Sequence, residues 1–131
     1  MVQWGINQGN CIPISCIINI YEEGDCIPPH IDHHDFVRLF CTVSFISESS
    51  MLFSTDIEII GPGEFQGPVE ISLPRGSVMI LKGNGADIAK HCIPGVRHCR
   101  VSITFRRMSD DKTPYGIQPD LELEKLQPYE L

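Results

Sequence analysis

The chain has 131 residues, 42% of them hydrophobic and 21% charged, with a formal net charge of −7. That length allows one domain, and no apolar run approaches the roughly 20 residues that a membrane-spanning helix needs. The acidic balance weighs against a strong autonomous grip on nucleic acid, because phosphates are held by basic patches.

No basic-then-apolar signal segment opens the chain, which predicts an intracellular protein in the nucleus, the cytoplasm or both. Trp4 and the residues up to Asn10 are expected to add a little to a binding-site wall. Strand-like runs follow at residues 16–21, 40–46, 69–73, 77–81 and 99–105, with shorter candidates at 27–32, 51–53 and 57–60. Turn signals separate them: Glu23-Gly24-Asp25, residues 47–50, Gly61-Pro62-Gly63, Gly67-Pro68, Pro74-Arg75-Gly76 and Gly83-Asn84-Gly85. No stretch carries a long helical period, although residues 86–91 read as a single helical turn that delivers His91 from a bend. Short strands at close spacing predict an all-β or mainly β fold, a barrel or double-sheet roll. Residues 1–107 are expected to form this core. Residues 108–131 change character, with three prolines and six acids against two lysines, and predict an acidic tail.

The six cysteines lie at scattered spacings, with no Cys-x2-Cys pair. Without a secretory signal they read as reduced thiols and not as a disulfide framework or a structural zinc site. Cys92, beside His91, reads first as a small residue packed in the barrel.

Two motifs carry chemistry. His30-Ile31-Asp32 offers an imidazole and a carboxylate that share a face in an extended strand, and the distant His91 offers a second imidazole. Two histidines and one carboxylate are the ligand set of a facial site that leaves positions on Fe(II) open. The second motif is Arg100-Val-Ser-Ile-Thr-Phe-Arg106, in which Val101, Ile103 and Phe105 share one face. Arg100, Ser102, Thr104 and Arg106 share the other. Two arginines on one strand face of a small domain are costly unless an anion meets them, and a dicarboxylic acid would satisfy both. Asn19 and Tyr21 share a face in the same way and would add hydrogen bonds to that ligand.

Asn19-x-Tyr21, His30-x-Asp32, His91 and Arg100-x5-Arg106, in that order, resemble the AlkB family of Fe(II)/2-oxoglutarate dealkylases. The flanking residues 21–35 and 83–92 are similar to its plant branch, related to RNA demethylases acting on N-methylated adenosine. The resemblance runs from about Cys11 to Arg107. It implies a double-stranded β-helix (jelly-roll) core, and His30, Asp32 and His91 as the catalytic metal ligands. Asn19, Tyr21, Arg100 and Arg106 are then the cosubstrate residues, with Arg100 on the far carboxylate and Arg106 nearer the metal. Fe(II), 2-oxoglutarate and dioxygen are the implied cofactor and cosubstrates, and single-stranded methylated RNA the implied partner.

Against longer members of that family the chain begins almost at the first cosubstrate strand, so upstream lid elements are expected to be missing. Arg38, Arg75, Lys82, Lys90 and Arg97 remain as candidate cations around the mouth. His33, His34 and Asp35 read as a solvated loop face, and His98 has no assigned role. The reading therefore keeps two alternatives: a 2-oxoglutarate-dependent hydroxylase of another substrate, and a non-catalytic metal- or RNA-associated module.

Overall fold

The computed structural model describes residues 3, 5, 11–118, 120–127 and 129. Trp4 and residues 6–10, expected to extend the wall of the site, lie outside the described residues. In chain order the elements are β1 (Ser15–Tyr21), β2 (Ile27–His30), β3 (Leu39–Phe45), β4 (Ser49–Ser54), β5 (Glu58–Gly61), β6 (Glu64–Gln66), β7 (Val69–Leu73) and β8 (Val78–Lys82). They continue with α1 (Asn84–Asp87), β9 (Lys90–Ile93), β10 (Arg100–Arg106) and α2 (Leu121–Lys125).

Two four-stranded sheets, ordered β1-β10-β3-β8 and β2-β9-β4-β7, make the body, and β5-β6 form a separate hairpin. Every neighbouring pair is antiparallel. From β1 to β4, and again from β7 to β10, each strand lies in the sheet opposite to the one before it. The chain thus winds between the sheets, and the product is the double-stranded β-helix, or jelly roll, that the sequence predicts. Among the described residues, helix is confined to two short segments.

Strand alternation decides what each sheet presents. On the inner side of the first sheet stand Ile17, Asn19 and Tyr21 of β1, Phe40 and Thr42 of β3, Met79 and Leu81 of β8, and the polar side of β10. The buried cluster of Tyr21, Phe40, Met51, Phe53, Leu73, Leu81, Ala86, Ile93 and Val96 closes the space between the sheets. Ala86 anchors α1 in that cluster.

The outer side of the same sheet is apolar. Ile18, Ile103, Val43 and Val78 form one cross-strand row, and Ile20, Val101 and Phe45 form another. Ile18 and Ile20 are 60% and 71% exposed. The face that hydrophobicity alone would bury is thus outside, and the polar face, which the sequence assigns to a ligand, is inside.

Packing follows from that division and can be tested by truncation. Leu73→Ala, at a position 2% exposed, is expected to cost about 2–5 kcal/mol in urea unfolding, as for other buried leucines. Ile20→Ala on the outer row should cost under about 1 kcal/mol. Equal losses from the two substitutions would contradict the assignment of inner and outer faces.

Candidate metal centre

Pairing of β2 with β9 sets His30 directly across from His91, and pairing of β9 with β4 sets Phe53 on the other side of His91. Directly opposed residues of an antiparallel pair have Cβ atoms about 5 Å apart, so register alone brings the two imidazoles together. Their ring centroids are 4.4 Å apart, tilted by 54°, and the Phe53 ring lies 5.9 Å from that of His91. Asp32 lies just past the end of β2, and its Oδ2 is 3.5 Å from Nε2 of His91. One ligand atom from each of His30, Asp32 and His91 falls within 4.8 Å of the others, and no other such cluster occurs among the described residues.

The protonation states suit ligation. His30 Nδ1 donates to the Pro28 carbonyl oxygen at 2.8 Å, which fixes the ring and leaves Nε2 as its ligand atom. Burial lowers the pKa of His91 to about 4, helped by the His30 ring and opposed by the Asp32 carboxylate. His91 is therefore neutral near pH 7, and its approach to Asp32 is not an ion pair. Metal–ligand bonds of about 2.1 Å at right angles place donor atoms about 3 Å apart, so this cluster, with donor atoms within 4.8 Å of one another, would draw in somewhat around an ion. Two nitrogens and one carboxylate fit a divalent first-row ion such as Fe(II), with part of its coordination sphere left open.

The same cavity, of about 230 Å³, is lined by Asn19, Tyr21, Arg100, Ser102, Thr104 and Arg106 as well as by the three clustered residues. Arg100 is 1% exposed. Its Nη2 donates to Ser44 Oγ at 3.0 Å and its guanidinium lies 4.9 Å from the centre of the Tyr21 ring. Its Nε and Nη1 are buried and have no partner among the described residues, and the same is true of Arg106 Nε. Arg106 stacks on Phe36 at 3.9 Å. Buried guanidinium donors left unmatched are expensive, and an anionic ligand in this cavity would match them. Thr42 and Thr104 hydrogen-bond one another at 2.9 Å across β3 and β10.

His91 does not come from a helical turn spanning residues 86–91, as its sequence suggests. α1 ends at Asp87, and β9 begins at Lys90. Four residues are too few to show a period, and strands on both sides override the local signal. Ser44 was not singled out by sequence, although it shares its strand face with Phe40 and Thr42 and is 1% exposed. Phe36 gives no sequence signal for its stacking role. His33 and Asp35 pair with each other at 3.3 Å, away from the cluster. His34 is exposed and contacts Arg38. Cys92 is wholly buried, points to the opposite side of β9 from His91, and has its thiol pKa raised, chiefly by burial. It is a packing residue.

No protein-family profile matches the chain. Whole relatives do. RNA demethylase ALKBH9B of Arabidopsis thaliana is 52% identical over 131 residues, which is all of this chain and 26% of that protein. RNA demethylase ALKBH10B of the same plant is 33% identical over 91% of this chain and 21% of its own length. RNA demethylase ALKBH5 of Bos taurus is 43% identical over 71% of this chain and 24% of its own. The chain thus spans about a quarter of the length of these relatives. Among solved structures, an RmlC-like cupin protein from Desulfovibrio desulfuricans aligns with a TM-score of 0.44 at 17% identity, over 69% of this chain and 68% of its own.

The cluster makes a direct prediction. Titration with Mn(II), followed by loss of its free-ion electron paramagnetic resonance signal, should show one site in the chain. His30→Ala and Asp32→Ala should each weaken it at least tenfold, whereas His33→Ala should change it less than twofold. Unchanged binding in both ligand variants would remove the metal centre from this cavity.

Proposed function

The chain belongs to the AlkB-like family of RNA demethylases, and we propose that it carries out Fe(II)- and 2-oxoglutarate-dependent oxidative demethylation of N-methylated adenosine in RNA. The observation that carries this reading is that the buried Arg100 and the half-buried Arg106 keep unmatched buried donors, Nε and Nη1 of the first and Nε of the second, in the cavity that also holds the His-Asp-His cluster. A metal alone would not call for those arginines. A metal together with a small diacid would use both.

In this proposal His30, Asp32 and His91 would hold Fe(II) and leave the rest of its coordination to cosubstrates. Arg100, already oriented by Ser44 and Tyr21, takes the far carboxylate of 2-oxoglutarate through its two free donors. Arg106, fixed on Phe36, faces the metal-chelating end, and Asn19 and Tyr21 add hydrogen bonds. When bound, the iron supplies oxidation of the methyl carbon by dioxygen, with 2-oxoglutarate converted to succinate and carbon dioxide and the methyl lost as formaldehyde. The protein's part is to place the reactants and exclude water from a cavity whose walls are Phe40, Met51, Leu81 and Ile93.

The substrate in this reading is single-stranded RNA, where a base is presented unstacked at little cost. The setting is the nucleus, the cytoplasm or both. No described helix is long and apolar enough to cross a membrane. With a net charge of −7, phosphate contacts must come from a few exposed cations such as Arg75, Lys82, Lys90 and Arg97.

Two measurements test the proposal. In calorimetry with Mn(II) in place of iron, Arg100→Lys should weaken 2-oxoglutarate binding by about 1.5–3 kcal/mol, the range for hydrogen bonds to charged groups. Arg75→Lys should leave it unchanged, and equal losses would refute the role of Arg100. With Fe(II), ascorbate and 2-oxoglutarate, an RNA oligomer carrying N-methyladenosine should release formaldehyde and raise succinate, both falling steeply with salt. Succinate without formaldehyde would point to a hydroxylase of another substrate; absence of both would leave only a binding module.

A further inference from the structure

The three clustered residues are held in place by different means. His30 and His91 are fixed by strand register, but Asp32 lies beyond the end of β2, where no ladder holds it. The later part of the loop is pinned to the end of β10, with Val37 N donating to Arg107 O and Ser109 N donating to Asp35 O, both at 2.8 Å. Neither bond reaches Asp32.

Arg38 does reach it. Its Nη1 donates to the Asp32 carbonyl oxygen at 3.1 Å, and its Nε pairs with Asp87 Oδ1 at 3.0 Å. Its Nη2 donates to His34 Nδ1, and its guanidinium lies 5.7 Å from the centre of the buried Phe40 ring. The side chain is 18% exposed, and all three of its nitrogens are engaged. Arg38 is therefore not a free cation at the mouth of the cavity, as its sequence position suggests. Asp87 closes α1, whose Ala86 is buried in the core, and stands four residues before His91. One planar group thus joins the chain at Asp32 to the turn that leads into β9.

We propose that Arg38 is a positioning residue of the metal centre, holding the Asp32 backbone against α1 so that the carboxylate stays opposed to the two imidazoles. The inference rests on reading His30, Asp32 and His91 as metal ligands. A guanidinium suits the task because its fork can bind a carbonyl, a carboxylate and an imidazole in one plane, whereas an ammonium cannot keep that geometry. Groups that orient a metal ligand in this way characteristically change metal affinity ten- to a hundredfold when removed.

The test uses the whole chain loaded with Co(II), whose visible bands report both occupancy and ligand geometry. Arg38→Met should raise the Co(II) dissociation constant about ten- to hundredfold and shift the bands at saturating metal, and Arg38→Lys should recover only part of the loss. Asp87→Asn, at a half-exposed side chain, should raise the constant several-fold on its own. Adding it to Arg38→Met should bring little further loss, because both act through one contact. Lys112→Met, at an exposed cation, serves as the control. A lower melting temperature with affinity and bands within twofold of the parent, in Arg38→Met or in Asp87→Asn, would overturn the proposal. Absence of Co(II) binding by the parent chain, or equal binding by His30→Ala, would overturn the metal reading and this inference with it.

Discussion

The pairing of β2 with β9 is the constraint on which the site depends. It joins strands far apart in sequence and sets residue 30 across from residue 91. Strand side chains alternate with period two, so a slip of one residue would turn His91 outward and bring Cys92 in. Both neighbours of β9 resist that slip. β4 sets Phe53 against His91 and Leu52 against Cys92, and Cys92 fills a fully buried position on the other side. The apolar content of so short a strand thus serves the placement of one imidazole.

The first sheet makes a different compromise. Its inner side carries Arg100, Ser102, Thr104 and Arg106, and its outer side carries rows of isoleucine, valine and phenylalanine. A domain that only needed stability would reverse these faces. Here the polar side is partly self-satisfied, since Thr42 bonds Thr104 and Ser44 takes one donor of Arg100. The remaining guanidinium donors have no partner among the described residues. The energy left unmatched there is the driving force available to a ligand, because binding an anion replaces a desolvated charge with a paired one.

Much of this was legible in the sequence, for identifiable reasons. β1, β3, β7, β8 and β10 announce themselves through alternation and β-branched content between glycine and proline turns. The two faces of β10 could be separated by counting alone, and the mismatch of two arginines on one face pointed to an anion. β6 and β9, at three and four residues, were not legible, since neither is long enough to show a period. Nor was Arg38. Its three bonds depend on a loop and a helical turn meeting in space, and nothing local distinguishes it from Arg75 or Arg97.

The spacing of Arg100 and Arg106 sets the scale of what the cavity holds. Six residues of strand at about 3.4 Å each put the two Cα atoms about 20 Å apart. Both side chains nonetheless line one cavity of about 230 Å³. Tyr21 braces one guanidinium and Phe36 the other. Two cations lining one cavity favour a small molecule with two negative charges over a single anion. The His30, Asp32 and His91 cluster lines the same cavity, and with a metal held there it would give such a molecule one reactive end. The two arginines and the His-Asp-His cluster share one cavity, and that combination is what separates it from an ordinary polar cleft.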